Sequence, residues 1–162
     1  MKGCDVEDLE PLLPEIWISR VERIAGSLRH DRLDLLNLAR LLRLACHICL
    51  LAPRSLQIEG LNRNRAACLE ALLEAEQLDG AAALLLSSEP ELEIQQSDKG
   101  TKASVRLFRG GAMGKALGST MPQALLAAIL DCLMIEHELN QAIRTYPLSD
   151  DSLRRSQSGS RP

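Results

Sequence analysis

Aromatic side chains are nearly missing from this chain: its 162 residues include one tryptophan, Trp17, one phenylalanine, Phe108, and one tyrosine, Tyr146. Binding of single strands by stacking needs ring after ring, so that mode is excluded. The core must be aliphatic, drawn from the Leu, Ala and Ile that dominate an apolar share of 46%. Such residues favour helix. Positive charge is also in short supply, with a net charge of −3 and a sequence pI of about 5.6, which is unfavourable to a whole-domain basic footprint for nucleic acid.

An uninterrupted apolar run is lacking too. The longest candidate, "LLNLARLLRLACHICLLA" from Leu35 to Ala52, places Asn37, Arg40, Arg43 and His47 at helical spacing, which a bilayer would rarely tolerate. The start "MKGCDVEDLEP" has neither the charged opening nor the apolar stretch of a signal peptide, residue 2 is Lys, and the end "SGSRP" carries no lipidation signal. Together with five cysteines, an odd number, these features predict a cytoplasmic chain with reduced thiols and no membrane contact.

Catalytic and cofactor signatures are absent as well. In "RGGAMGKALGST", Arg109 to Thr120, four glycines, two bases and a Ser-Thr pair precede an apolar helix. A phosphate-binding P-loop would need one more residue between Gly110 and Gly114, and a hydroxyl where Ala116 stands. The dinucleotide fingerprint fails on glycine spacing. "CHIC", Cys46 to Cys49, has the C-x-x-C form, but it ends a long helix instead of following a strand. Cys68 and Cys132 are isolated, so no second ligand pair completes a zinc site. His47 falls on a polar stripe, and Glu136, His137 and Glu138 point in different directions around a helix. His30 carries no signal. No cofactor, metal or catalytic residue is expected.

What is present divides into two patterns. Pro14 opens a helix of roughly Glu15 to Arg29 with Ile16, Trp17, Val21, Ile24 and Leu28 on one face. Asp31 is the expected cap of a second helix reaching about Leu51, whose narrow polar stripe (Asp34, Asn37, Arg40, Arg43, His47) marks it as the central core helix, with Leu36, Leu41, Leu44 and Ile48 buried. "NRNRAACLEALLEAEQLDG" predicts a third helix stopped by Asp79-Gly80, and "AAALLLSS" a short fourth before Pro90.

The period then becomes two. Leu92 and Ile94 alternate with Glu91, Glu93 and Gln95; Ala103, Val105 and Leu107 alternate with Lys102, Ser104 and Arg106; "SDKGT" turns between them. Two hairpin registers keep the apolar residues together, one setting Glu93 opposite Arg106 and the other Glu91. A third strand is expected around Met113 to Leu117. A T-x-x-Q capping box, Thr120 and Gln123, then starts a helix reaching about Arg144, with Gln123, Asp131, Glu138 and Gln141 on its polar side.

The expected architecture is α+β: an N-terminal bundle of three to four helices, then a small antiparallel sheet packed with a long C-terminal helix. Residues 1–147 form one domain and 148–162 a disordered polar tail. The hairpin, glycine-containing strand and "GSTMPQALLAAIL" resemble the last strand and helix of small phage and prophage sandwich domains. That resemblance covers at most about a third of the chain and implies no function.

By elimination, the expected function is a non-catalytic intracellular protein-interaction or regulatory module, with a protein partner or itself, as a homodimer joined through a strand edge. The alternative is a small anion- or nucleic-acid-binding protein. Residues 99–130 hold five bases and no acid, and Lys102, Arg109, Lys115, Ser119 and Thr120 would gather around the N-terminus of the last helix. Residues 66–98 hold eight acids and no base, so pairing between neighbouring strands also accounts for the cluster.

Overall fold

A computed structural model describes residues 9–29 and 33–145. His30, Asp31 and the tail from 148 onward lie outside the described residues. The elements are α1 (Pro14–Leu28), α2 (Leu35–Leu50), a 3-10 turn (Arg54–Leu56), α3 (Arg63–Glu74), α4 (Leu78–Ala83), β1 (Glu91–Ser97), β2 (Gly100–Arg106), β3 (Gly114–Gly118) and α5 (Met121–Thr145). The fold is α+β. Three antiparallel strands stand in the order β1-β2-β3, β2 and β3 lie on α5, and α1 and α4 pack on that helix from the helical side, with α2 and α3 packed on them in turn.

The centre of the molecule is therefore α5, not α2. Between Pro122 and Leu133 only Ala127 and Asp131 escape full burial, because the sheet and the helical layer press on α5 from opposite sides. Leu125, Leu126, Ile129, Leu130 and Leu133 are buried as the periodicity predicts. The α2 helix has neighbours on one side only. Leu41 and Ile48 are buried with Leu38, Leu42, Ala45, Cys46 and Cys49, whereas Leu36 is 83% and Leu44 42% exposed, against expectation. An apolar stripe wider than the available contact leaves some of its leucines in water.

Local signals account for most element ends. Asp34, not Asp31, caps α2 by accepting from the Asn37 amide at 2.7 Å. Asn62 caps α3 in the same way through the Arg65 amide. The third helix stops at Glu74, where Glu76 takes a left-handed φ of 58°, and Asp79-Gly80 falls inside α4 instead of ending α3. Trp17, fully buried on α1, donates from its indole to the Ile48 carbonyl at 3.0 Å, tying α1 to α2.

The hairpin takes the register Glu91↔Arg106, Leu92↔Val105, Glu93↔Ser104 and Ile94↔Ala103, closing on Ser97↔Gly100. Of the two sequence-compatible registers, this one joins Arg106 to Glu91 at 3.2 Å. The third strand starts one residue later than expected, and it pairs Lys115 with Ser104 and Leu117 with Lys102. At the predicted capping box, Gln123 makes a longer-range link. Gln123 is buried, accepts from the Ser119 hydroxyl at 2.6 Å and donates to the Leu28 carbonyl at 3.0 Å, so it fastens the start of α5 to the end of α1.

Candidate functional site

The glycine-rich stretch resolves into a turn and a strand pressed against a helix. Gly110 supplies a left-handed φ of 70°, and the Gly111 amide closes the turn on the Phe108 carbonyl at 2.9 Å. Gly114 and Gly118 lie on the inner face of β3, where the strand backbone touches α5. A Cβ on Gly114 would strike the Ala128 carbonyl and the Cys132 backbone, and one on Gly118 would sit 2.5 Å from the Ala124 amide. Two glycines four apart on a strand thus meet small residues four apart on a helix, Ala124, Ala128 and Cys132.

Two amides of the glycine-rich stretch already hold anions, and these belong to the chain itself. Glu136 accepts from the Ala112 amide, and Asp131 accepts from the Lys115 amide at 2.9 Å. The Cys132 thiol also donates to the Ala112 carbonyl at 3.5 Å. Sequence reasoning missed both carboxylates. Asp131 stood on the polar stripe of the last helix, but nothing local said that this stripe faces β3.

The five residues nominated for an anion site are divided between the turn, the sheet and the start of α5. Arg109 is 94% exposed and pairs with Glu89 at 3.3 Å, a surface contact that contributes little. Ser119 and Thr120 are at the start of α5, with the Ser119 hydroxyl engaged by Gln123. Lys102 and Lys115 do come together, on the outer face of the sheet. There they line a shallow groove of about 360 Å³ with Glu93, Gln95, Ser104 and Arg106. The register explains this, since Glu93, Ser104 and Lys115 form one cross-strand row, with Glu91 and Arg106 beside it. Within β1 the Gln95 amide donates to the Glu93 carboxylate at 2.7 Å.

The two free edges of the sheet differ. Beside β3, the Lys115 and Ala112 amides are occupied by α5 carboxylates. Beside β1 there is nothing comparable among the described residues. The strand overhangs α5, which lies under β2 and β3, and every β1 residue is exposed except half-buried Ile94. Leu92 points to the inner face yet is 43% exposed. The two-residue loop Asp98-Lys99 makes Ser97 and Gly100 a hydrogen-bonded pair. Alternation from there turns the backbone N–H and C=O of Leu92, Ile94 and Gln96 toward the open edge.

The "CHIC" cysteines face the core of α2. Burial pushes the Cys46 thiol up to about 11, with help from Glu70, and the Cys49 thiol up to about 12, with help from Cys46. Burial also raises Cys132. Cys68 is exposed, and Cys46, Cys49, Cys68 and Cys132 are all unpaired. Among the described residues no three His, Cys, Asp or Glu side chains come together to hold a metal.

These thiols yield a direct expectation. At about pH 8 an alkylating reagent should modify Cys68 readily, Cys46 and Cys49 roughly a hundredfold or more slower, and Cys132 more slowly than Cys68, as peptide mapping would show. Above the ordinary thiol value of 9.0, unfolded thiols ionise while Cys46 and Cys49 stay protonated in the fold. The native state then holds the extra protons, so stability falls as pH rises from about 9 toward 11 to 12 and is unaffected by these groups below that window.

No family model, no curated protein and no solved structure matches this chain. Among the described residues no helix is long and apolar enough to cross a membrane.

Proposed function

We propose that the protein is a non-catalytic protein-interaction module that accepts an additional strand at the open edge of β1. The observation that carries this reading is the asymmetry of the sheet, with amides beside β3 occupied by the chain's own carboxylates and β1 overhanging, exposed along its length. Strand addition uses such a row of main-chain donors and acceptors for affinity, and the alternate side chains for selectivity. Raised thiol pKa values oppose thiolate chemistry at "CHIC". The unpaired cysteines favour a reducing compartment, the cytoplasm.

A photo-crosslinking residue in place of Gln95 tests the reading against the same residue in place of Glu22, exposed on α1. Discrete protein adducts are expected from position 95 only. Leu92→Lys, which puts a charge on the inner face of the edge strand, should remove them without changing the melting temperature appreciably. Equal adducts from both positions, or none from 95, would refute it.

One observation favours a second reading, that of an anion-binding protein: Lys102, Arg106 and Lys115 share the outer groove. In that case inorganic phosphate or a duplex oligonucleotide at low salt should raise the melting temperature, and Lys102→Ala with Lys115→Ala should abolish the rise.

A further inference from the structure

We propose that the strand accepted at this edge is β1 of a second copy, antiparallel and centred on Ile94, so that two three-stranded sheets become one continuous sheet. This rests on the open-edge reading above. The sequence of β1 is divided: its first half carries the carboxylates Glu91 and Glu93, and its second half the neutral Gln95, Gln96 and Ser97. Antiparallel pairing with itself lays one half on the other. With the two-fold axis at Ile94, Glu93 faces Gln95 of the second copy, Glu91 faces Ser97, and no carboxylate lies opposite another. Centring on Glu93 would set the two Glu93 side chains face to face, and centring on Leu92 would oppose Glu91 and Glu93.

The same register satisfies the backbone. The residues whose polar groups face outward, Leu92, Ile94 and Gln96, meet Gln96, Ile94 and Leu92 of the second copy as hydrogen-bonded pairs. On the inner face Ile94 meets its own copy, with Leu92 nearby, covering apolar surface that α5 leaves open. In the hairpin turn, Lys99 lies two residues beyond Ser97 and is diagonal to Glu91 of the second copy, an opposite-charge neighbour. The other edge offers less, because of the two β3 residues turned outward, Lys115 and Leu117, the Lys115 amide is held by Asp131. A seven-residue strand gives an interface at the small end of specific contacts, so association is expected in the micromolar range.

Sedimentation of the full chain should show a monomer–dimer equilibrium that Leu92→Lys and, separately, Gln96→Pro each weaken about tenfold or more, while circular dichroism and melting remain those of the parent. Register is read in a Cys4→Ser, Cys68→Ser background. Glu93→Cys and Gln95→Cys proteins, mixed and oxidised, should cross-link to each other roughly fivefold or more over either alone, since facing residues of a non-bonded pair are within disulfide reach.

Dominant self-linking of Glu93→Cys would overturn the register, and a dimer indifferent to both edge variants would overturn the interface. A monomer at about 100 μM would overturn self-pairing altogether. In that event, adducts from position 95 to a different protein would leave the open-edge reading standing, and their absence would remove both.

Discussion

Gly114→Ala is expected to destabilise the fold by about 2–4 kcal/mol, a large loss for one added methyl group. The position is on the buried face of β3, and the new Cβ would collide with the Ala128 carbonyl and the Cys132 backbone. Neither obstacle is the end of a flexible side chain. Both belong to the middle of α5, whose hydrogen-bond ladder would have to break before they moved. The strand must therefore lift, and lifting it separates Ala116 and Gly118 from α5 and loosens Ala103 and Val105 beneath β2. Gly110→Ala is the control: it meets nothing within 4 Å and bears only the strain of a φ of 70°, about 1–2 kcal/mol. Urea denaturation of the two variants should show the larger loss at Gly114. A Gly114→Ala protein as stable as its parent would mean that β3 does not touch α5.

How much of this was legible in the chain depended on the distance between cause and consequence. The alternation at 91–107 announces a hairpin, and the period of "ALLAAILDCLM" announces a helix, because each pattern is written within a few residues. Pattern gives a face but not a depth. Leu36 and Leu44 are as apolar as Leu42, yet Leu42 is buried and the other two are not, because α2 finds partners on one side only.

Depth in α5 comes from being sandwiched, and only its unusual run of apolar and small residues hinted at that. The site was harder still. Asp131 is 16 residues from the amide it satisfies and Glu136 is 24 from its own, so two amides of a glycine-rich stretch that reads as open are taken by groups its local sequence does not contain. The basic residues after Lys99 were visible as a cluster. Which of them converge was fixed by register, and register by long-range packing against α5, so Lys102 and Lys115 meet while Arg109 turns to Glu89.

Trp17→Ala is expected to cost about 3–5 kcal/mol, a substantial part of the roughly 5–15 kcal/mol that holds a domain together. The indole is fully buried where α1 meets α2 and α5, with its ring centroid 6.4 Å from that of His137 and its N–H on the Ile48 carbonyl. Truncation removes the largest side chain in an otherwise aliphatic buried core. Hydrogen bonding is the minor part of the loss, because the Ile48 carbonyl also accepts from the Leu51 amide. Trp17→Phe keeps most of the volume and should cost only about 1–2 kcal/mol. Leu44→Ala and Leu36→Ala, on the open side of α2, should fall within about 0.5 kcal/mol of the parent. Far-UV circular dichroism in urea is the suitable measurement, since Trp17 is the chain's one tryptophan and its fluorescence vanishes with it. A loss for Leu44→Ala as large as that for Trp17→Ala would show that α2 is packed on both sides.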